Sequence, residues 1–403
     1  MDRNYIYLDN NATTKVDEHV LEAMLPYFKE EYANPSSMYD FAKPASRAIK
    51  EARGVIKDFI NAKDEKEIIF TSCGSESANT GIRGVLNYNR NKKHIITTTV
   101  EHPCVLNVFK ALEKQGYRVD YIGVNSNGEL DLEALASAVD EDTALVATMW
   151  ANNETGVINP IGKISEIVKS KNKDTKLYVD ADQVAGKIRI DVQAIGIDFL
   201  GISGHKFHAP KGVGVLYVNS KTMITPLIIG GHQERGKRAG TENVPYIVGI
   251  AKAAELAQDS LHYEMTEVKR LRDKLESNII NKIFNARLNT GVANRVPNTT
   301  NIGFEYIEGE LILLHLSDLG ICASSGSACT SGSLEPSHVL RAMNVPFTAI
   351  HGSIRWSLSR FTTEKEIDYV IEKLPQVIEK VTSISPYQKE LQALKDLRLG
   401  KQN

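Results

Sequence analysis

Between Glu67 and Val218, seven short apolar runs (EIIFTS, HIITTT, VDYIGV, ALVATMWA, LYVDA, DFLGIS and GVLYV) alternate with stretches such as CVLNVFKALEKQG, DLEALASAVD and ISEIVKSK. The runs have strand composition and the stretches between them have helical period. Strands separated by helices need crossover connections, which confines this part of the chain to an α/β domain on a mainly parallel sheet. Ahead of it, VDEHVLEAMLPYFKEEY reads as one amphipathic helix, NPSS as a turn, and SRAIKEARGVIKDFINA as a second helix. Past about residue 250 the strands thin out. A long helix through YEMTEVKRLRDKLESNIINKIF, a mixed region with NTTNIGFEYI and SIRWSLSR, and a loop near residue 330 predict a smaller α+β domain. Two charged helices, EKEIDYVIEKLPQVIEKV and KELQALKDLRL, close the chain.

A length of 403 residues allows two or three domains and a sizeable interior. The net charge of −2 gives no electrostatic reason to expect nucleic acid or an anionic membrane as partner. No apolar run approaches a membrane span, and MDRNYIYLDNNATTK lacks a secretory core, so a cytoplasmic location is expected. Four cysteines (Cys73, Cys104, Cys322 and Cys329) are too few for a disulfide framework and lack zinc-site spacing.

Chemistry concentrates where apolar runs end. Lys206, in SGHKFHAPKGVGVLYV, is expected on a turn between two strands. It is either a surface lysine or an amine whose desolvation lowers its pKa toward use as nucleophile or base. Asp180 closes LYVD, at the strand end where open α/β sheets carry ligands, and Gln183 follows by three residues. Glu101 and His102 follow another run, and Asn152 and Asn153 a third. In IIFTSCGSESANTGIRG a strand passes into a helix whose start suits a phosphate, with Ser75 or Ser77 as its cap. Gly231–Lys237 nearly fits a nucleotide P-loop, but Arg238 stands where a metal-binding hydroxyl is required, leaving a basic glycine-rich loop able to hold an anion. His205 and His208 are three apart without a completing carboxylate, so no intrinsic metal is expected. Cys329 lies among small polar residues and glycines in CASSGSACTSGSLEPSHVL, which predicts an exposed, mobile loop, whereas Cys73 and Cys322 read as packing residues. A strand-end Asp, a helix-start anion site, a desolvatable lysine and a nearby histidine are the set that a pyridoxal phosphate enzyme needs.

Nearly end to end, the chain resembles the cysteine desulfurases of the NifS/IscS type, class-V aminotransferase relatives with the aspartate-aminotransferase-like fold. YLDNNATT, NPSS, GSES, EHP, ANNETG, VDADQ, SGHKFHAPKGVG, RAGTENVP, SSGSACTSGSLEPSHVL and IRWSLSRF carry the resemblance. It implies a large domain over residues 15–260 with a mainly parallel seven-stranded sheet, and a small domain from 1–14 with 261–403 that carries a mobile Cys loop at about 323–335. It further implies pyridoxal 5′-phosphate bonded to Lys206, with Asp180 on the pyridine nitrogen, Gln183 on the ring hydroxyl and His102 stacked on the ring. Gly74, Ser75, Ser203 and His205 would hold the phosphate, with Thr241 reaching in from the second subunit of a homodimer. Asn153 and Arg355 would bind the carboxylate of L-cysteine. Cys329 would accept the sulfur as a persulfide, pass it to an iron–sulfur scaffold of the IscU/NifU type, and be able to ligate a nascent cluster in transit. A selenocysteine lyase or related β-lyase would share the cofactor site but need no acceptor cysteine, and the intact Lys206, Asp180, His102 and Cys329 argue against a non-catalytic sulfur-carrier or regulatory protein. Two departures stand out: GSE replaces the commoner ATE, and Asp182 replaces a commoner small or neutral residue, adding charge beside Asp180. The tail after about residue 385 matches no motif.

Overall fold

The computed structural model describes residues 5–325, 335–398 and 400; Cys329 and most of the expected loop lie outside these. All seven apolar runs are strands: β2 (Ile68–Thr71), β3 (His94–Thr98), β4 (Arg118–Ile122), β5 (Thr143–Met149), β6 (Lys176–Asp180), β7 (Phe199–Ser203) and β8 (Gly214–Val218). They form one sheet in the order β2-β8-β7-β6-β5-β3-β4. Pairing is parallel from β4 through β3, β5 and β6 to β7, whereas β8 is antiparallel to both β7 and β2. The turn between β7 and β8 is too short for a crossover, so β8 must fold back.

Alternate residues of these strands feed two cores, because successive side chains point to opposite faces. Ile69, Ile95, Leu145 and Phe199 pack with the helices Gly74–Tyr88 and Pro103–Glu113. Phe70, Ile96, Val146 and Leu200 pack on the other face with Lys43–Phe59 and Val244–Tyr263. With both faces covered, apolar runs without polar alternation are what the sheet requires.

A third core gathers Leu8, Leu275, Phe304, Ile312, Trp356 and Leu374 around a four-stranded antiparallel sheet. Its order is β12 (Ser324–Ser325), β13 (Ser353–Ser357), β10 (Thr299–Phe304), β9 (Ala286–Leu288). Beside it, β1 (Ile6–Tyr7) runs parallel to β11 (Ile321–Cys322). The N-terminal segment spans both regions: Leu8 is in this core, while the Thr14 N–H donates to the His205 carbonyl in the turn after β7.

Three elements differ from the sequence reading. The first helix is split into Glu18–Met24 and Pro26–Lys29, since Pro26 has no N–H to continue the ladder and takes the first position of a new helix. The long helix starts earlier, at Val244, and widens into a π-turn over Glu264–Val268 before Lys269–Lys282. Neither Ser75 nor Ser77 caps Gly74–Tyr88: its cap position is Cys73, without a side-chain bond, and the Ser77 hydroxyl sits 2.8 Å from that of Thr71. Among the described residues no helix is long and apolar enough to cross a membrane.

Candidate active site

The parallel strands and β2 end at one edge of the sheet, and the expected site residues follow those ends. Gly74 comes after β2, His102 after β3, Asn153 after β5, Gln183 after β6, and His205 and Lys206 after β7; Asp180 and Ser203 are the last residues of β6 and β7. A common strand direction is what brings positions so far apart in sequence to one crevice.

Lys206 does not project as a free surface lysine. Its Nζ donates to the carbonyls of Asn11 (2.7 Å) and Ala12 (2.9 Å). Burial lowers its pKa below the ordinary lysine value, the charge of Arg355 adds to that, and Asp182 opposes it. Asp180 is buried, and that burial pushes its carboxyl upward although the Asp182 N–H (3.0 Å) and the Cys104 thiol (3.8 Å) donate to it. Gln183 donates from Nε2 to the Asn11 carbonyl at 3.1 Å, and its buried Oε1 has no partner among the described residues.

His102 caps Pro103–Glu113, accepting the Cys104 N–H at Nδ1, so a neutral ring carries its proton on Nε2. Burial lowers its pKa. His205 falls to about 4 through burial and the charge of Lys206, with Nδ1 held 3.1 Å from the Thr13 hydroxyl. It is therefore a neutral ring close in sequence to Ser203, one of the residues expected to hold the phosphate. His208 points away, its Nδ1 at 2.9 Å from the Lys15 carbonyl, and among the described residues no group of three or more His, Cys, Asp or Glu side chains could hold a metal.

At the start of Gly74–Tyr88 the Gly74 N–H donates to Ser203 Oγ at 2.7 Å. A Cβ on Gly74 would lie 2.6 Å from both Ser203 Oγ and Asp182 Oδ2, so this cradle admits no side chain. Ser75 is exposed at the same helix start. Arg355, in β13, donates to Asp9 (2.7 Å) and to the Asn153 carbonyl (3.1 Å), while its buried Nε has no partner among the described residues.

Thr241 is not brought into the crevice. It is exposed and lines a shallow depression with Tyr32 and Pro35. The basic loop before it spends its guanidinium groups within the chain, Arg238 on Glu76 and Arg235 on the Lys66 and Ile68 carbonyls. A cavity of about 620 Å³ opens elsewhere, between Phe284 and the two C-terminal helices, and among the described residues holds none of the expected site residues.

Sequence reasoning missed Asn11, whose carbonyl receives both Lys206 and Gln183, and Asp9, the partner of Arg355. YLDNNATT was legible as a motif, but a backbone carbonyl leaves no residue-type signal. Cys104, whose thiol backs Asp180, gave no signal either.

The unmatched Gln183 Oε1, the raised Asp180 and the start of Gly74–Tyr88 beside Ser203 Oγ fit pyridoxal 5′-phosphate: a ring hydroxyl, a cationic ring nitrogen and an anionic end are the partners these groups would take. Residues 6–370 match the model of the aminotransferase class-V family. A cysteine desulfurase of Nostoc sp. is 55% identical over 385 residues, covering 96% of each chain. The cysteine desulfurase NifS of Azotobacter vinelandii is 50% identical over 95% of this chain and 94% of its own. A solved structure described as a NifS-like protein superposes with a TM-score of 0.88 at 40% identity, covering 93% of this chain and 99% of its own.

Proposed function

The chain belongs to the class-V aminotransferase family as a cysteine desulfurase of the NifS type, and we propose that the sheet-edge crevice is where it binds pyridoxal 5′-phosphate and takes sulfur from L-cysteine. The observation that carries this reading is the convergence of a desolvated lysine amine and a buried strand-end aspartate on one edge, ringed by unpartnered polar atoms. When bound, the cofactor would supply an electron sink for the substrate's α-carbon, reached through the substrate's amino nitrogen. Asp180 would face the ring nitrogen, Gln183 Oε1 the ring hydroxyl, and His102 the ring plane. Gly74, Ser75, Ser203 and His205 would hold the phosphate.

Lys206 would be the residue bonded to the cofactor and, once displaced by substrate, the base whose Nζ takes the α-proton and returns it. Its lowered pKa keeps a larger share of the amine unprotonated. Arg355, with Asn153, would hold the substrate carboxylate, Arg355 Nε being free to donate.

Cys329 lies outside the described residues, but both flanks of its segment are fixed at the crevice. Ser324 pairs with Arg355 across β12 and β13, and Ser337 donates to Glu154, the neighbour of Asn153, at 2.5 Å. In the sulfur step the substrate's Cβ–S bond breaks as an S–S bond to the Cys329 sulfur forms. Carbon keeps the electron pair and takes a proton, giving L-alanine and an enzyme persulfide. That sulfur would pass to an iron–sulfur scaffold protein in the cytoplasm.

A homodimer is supported by apolar side chains left in water, Met38 (98% exposed), Ile229 (85%) and Tyr32 (67%), with Thr241 beside Tyr32. The test is persulfide transfer from L-cysteine to a scaffold protein: Cys329→Ser should abolish it, and full transfer by that variant would remove Cys329 from the mechanism.

A further inference from the structure

Asp182 occupies an unexpected place. Its Oδ1 accepts the Ser203 N–H at 2.5 Å and its Oδ2 accepts the Ser203 hydroxyl at 2.9 Å. The same hydroxyl accepts the Gly74 N–H, so the carboxylate lies against the start of Gly74–Tyr88, in the cradle where a Gly74 Cβ would meet it at 2.6 Å. An anion of the chain's own is therefore seated on donors that the phosphate of the cofactor needs.

We propose that Asp182 competes with the cofactor's phosphate for the two Ser203 donors, so that loading requires this carboxyl to gain a proton or swing away. The inference rests on the phosphate lodging at Ser203, as the reading above has it.

The surroundings favour protonation. Asp182 is pushed up to about 6, first by burial and then by the negative charge of Asp180 on the same strand end. Lys206 in the turn after β7 and His102 at the cap of Pro103–Glu113 oppose that rise. Cys104, Tyr178 and Lys187 also feel its charge, while Glu76 on the neighbouring helix is turned to Arg238. A protonated Asp182 would give up one acceptor and its repulsion of a phosphate dianion; an ionised one would keep both. Cofactor affinity should therefore be weakened by Asp182 above neutrality and little affected in mild acid.

The experiment is titration of the cofactor-free full chain with pyridoxal 5′-phosphate, followed by protein fluorescence, at about pH 5.5 and about pH 8.5. Asp182→Asn keeps the acceptor for the Ser203 N–H and removes the charge; Asp182→Ala removes both, and either variant that folds serves. Binding roughly ten-fold tighter than in the unmutated chain at the higher pH, with the gap shrinking toward none at the lower, is expected. Equal or weaker binding at the higher pH would overturn the proposal. Ser203→Ala separates the two readings. If it weakens binding while the Asp182 variants do not strengthen it, only the competition is wrong. If it leaves binding unchanged, the phosphate does not use the Ser203 hydroxyl, and both that placement and the competition for it fall.

Discussion

Two sets of charge withdrawn from solvent behave oppositely in this molecule. Near the four-stranded sheet Glu276 accepts from both terminal nitrogens of Arg295 (2.8 and 3.1 Å) and from the Thr300 hydroxyl (2.5 Å). Burial would raise its pKa, but the Arg295 hydrogen bonds and charge outweigh it, and the carboxyl lies below its usual range. Arg53 and Glu234 form a similar fork at 2.7 and 2.8 Å. At the sheet edge Asp180 and Asp182 are raised instead, because burial is not answered by a bonded cation: the nearby Lys206 gives its hydrogen bonds to the Asn11 and Ala12 carbonyls. Charges that hold a fold together are closed within the protein, whereas charges kept for a ligand stay incompletely matched.

Breaking each set should give different losses. Lys206→Ala should cut alanine formation from L-cysteine by about 10³-fold or more while leaving thermal stability nearly unchanged, since it removes the nucleophile and base together. Glu276→Ala should do the reverse. It strands the Arg295 guanidinium and should cost about 3 kcal/mol of unfolding free energy in a denaturant titration, with cofactor affinity of the folded protein retained.

The pH dependence of stability sharpens the contrast. Glu101, fully buried behind the crevice, is raised from 4.5 to about 8 by burial, with Asp180 adding to the rise against bonds from Thr98 and Met149. A folded-state pKa above the unfolded one gives stability that is full below 4.5 and is lost as pH rises through about 8. Glu101→Gln should therefore flatten the fall of the melting temperature between about pH 5 and pH 8. Glu276, lowered rather than raised, contributes stability that is lost only as pH falls, so Glu276→Gln should leave that slope alone. The smallest effect is expected from Gly74→Ala, whose Cβ would crowd Ser203 Oγ and Asp182 Oδ2; a several-fold loss of cofactor affinity with little change in melting temperature would show the crowding to be local.

The seven strands were legible because a sheet covered on both faces needs unbroken apolar runs, and residues just after such runs could be read as crevice residues from strand direction alone. Tertiary pairing was not legible. Nothing local joins Glu276 to Arg295, or Asp9 to Arg355 across 346 positions. Asn11 receives Lys206 and Gln183 on its carbonyl, which every residue has, while its side chain bonds to Asn153, Thr299 and Asn298 far along the chain; Ser77 looked like a helix cap but bonds to Thr71 on the neighbouring strand. Asp182 was visible as an added charge; its seat on Ser203 required coordinates.

The central claim is that the crevice lysine, and no other, carries the cofactor. Lys187 is the chemical rival, since it is buried, its pKa is also lowered by burial, and its Nζ has no hydrogen-bond partner among the described residues. Borohydride reduction of the cofactor-loaded protein, followed by digestion and mass spectrometry, distinguishes them directly. The added cofactor mass should appear on the peptide containing Lys206; finding it on Lys187, or on no lysine, would contradict the account.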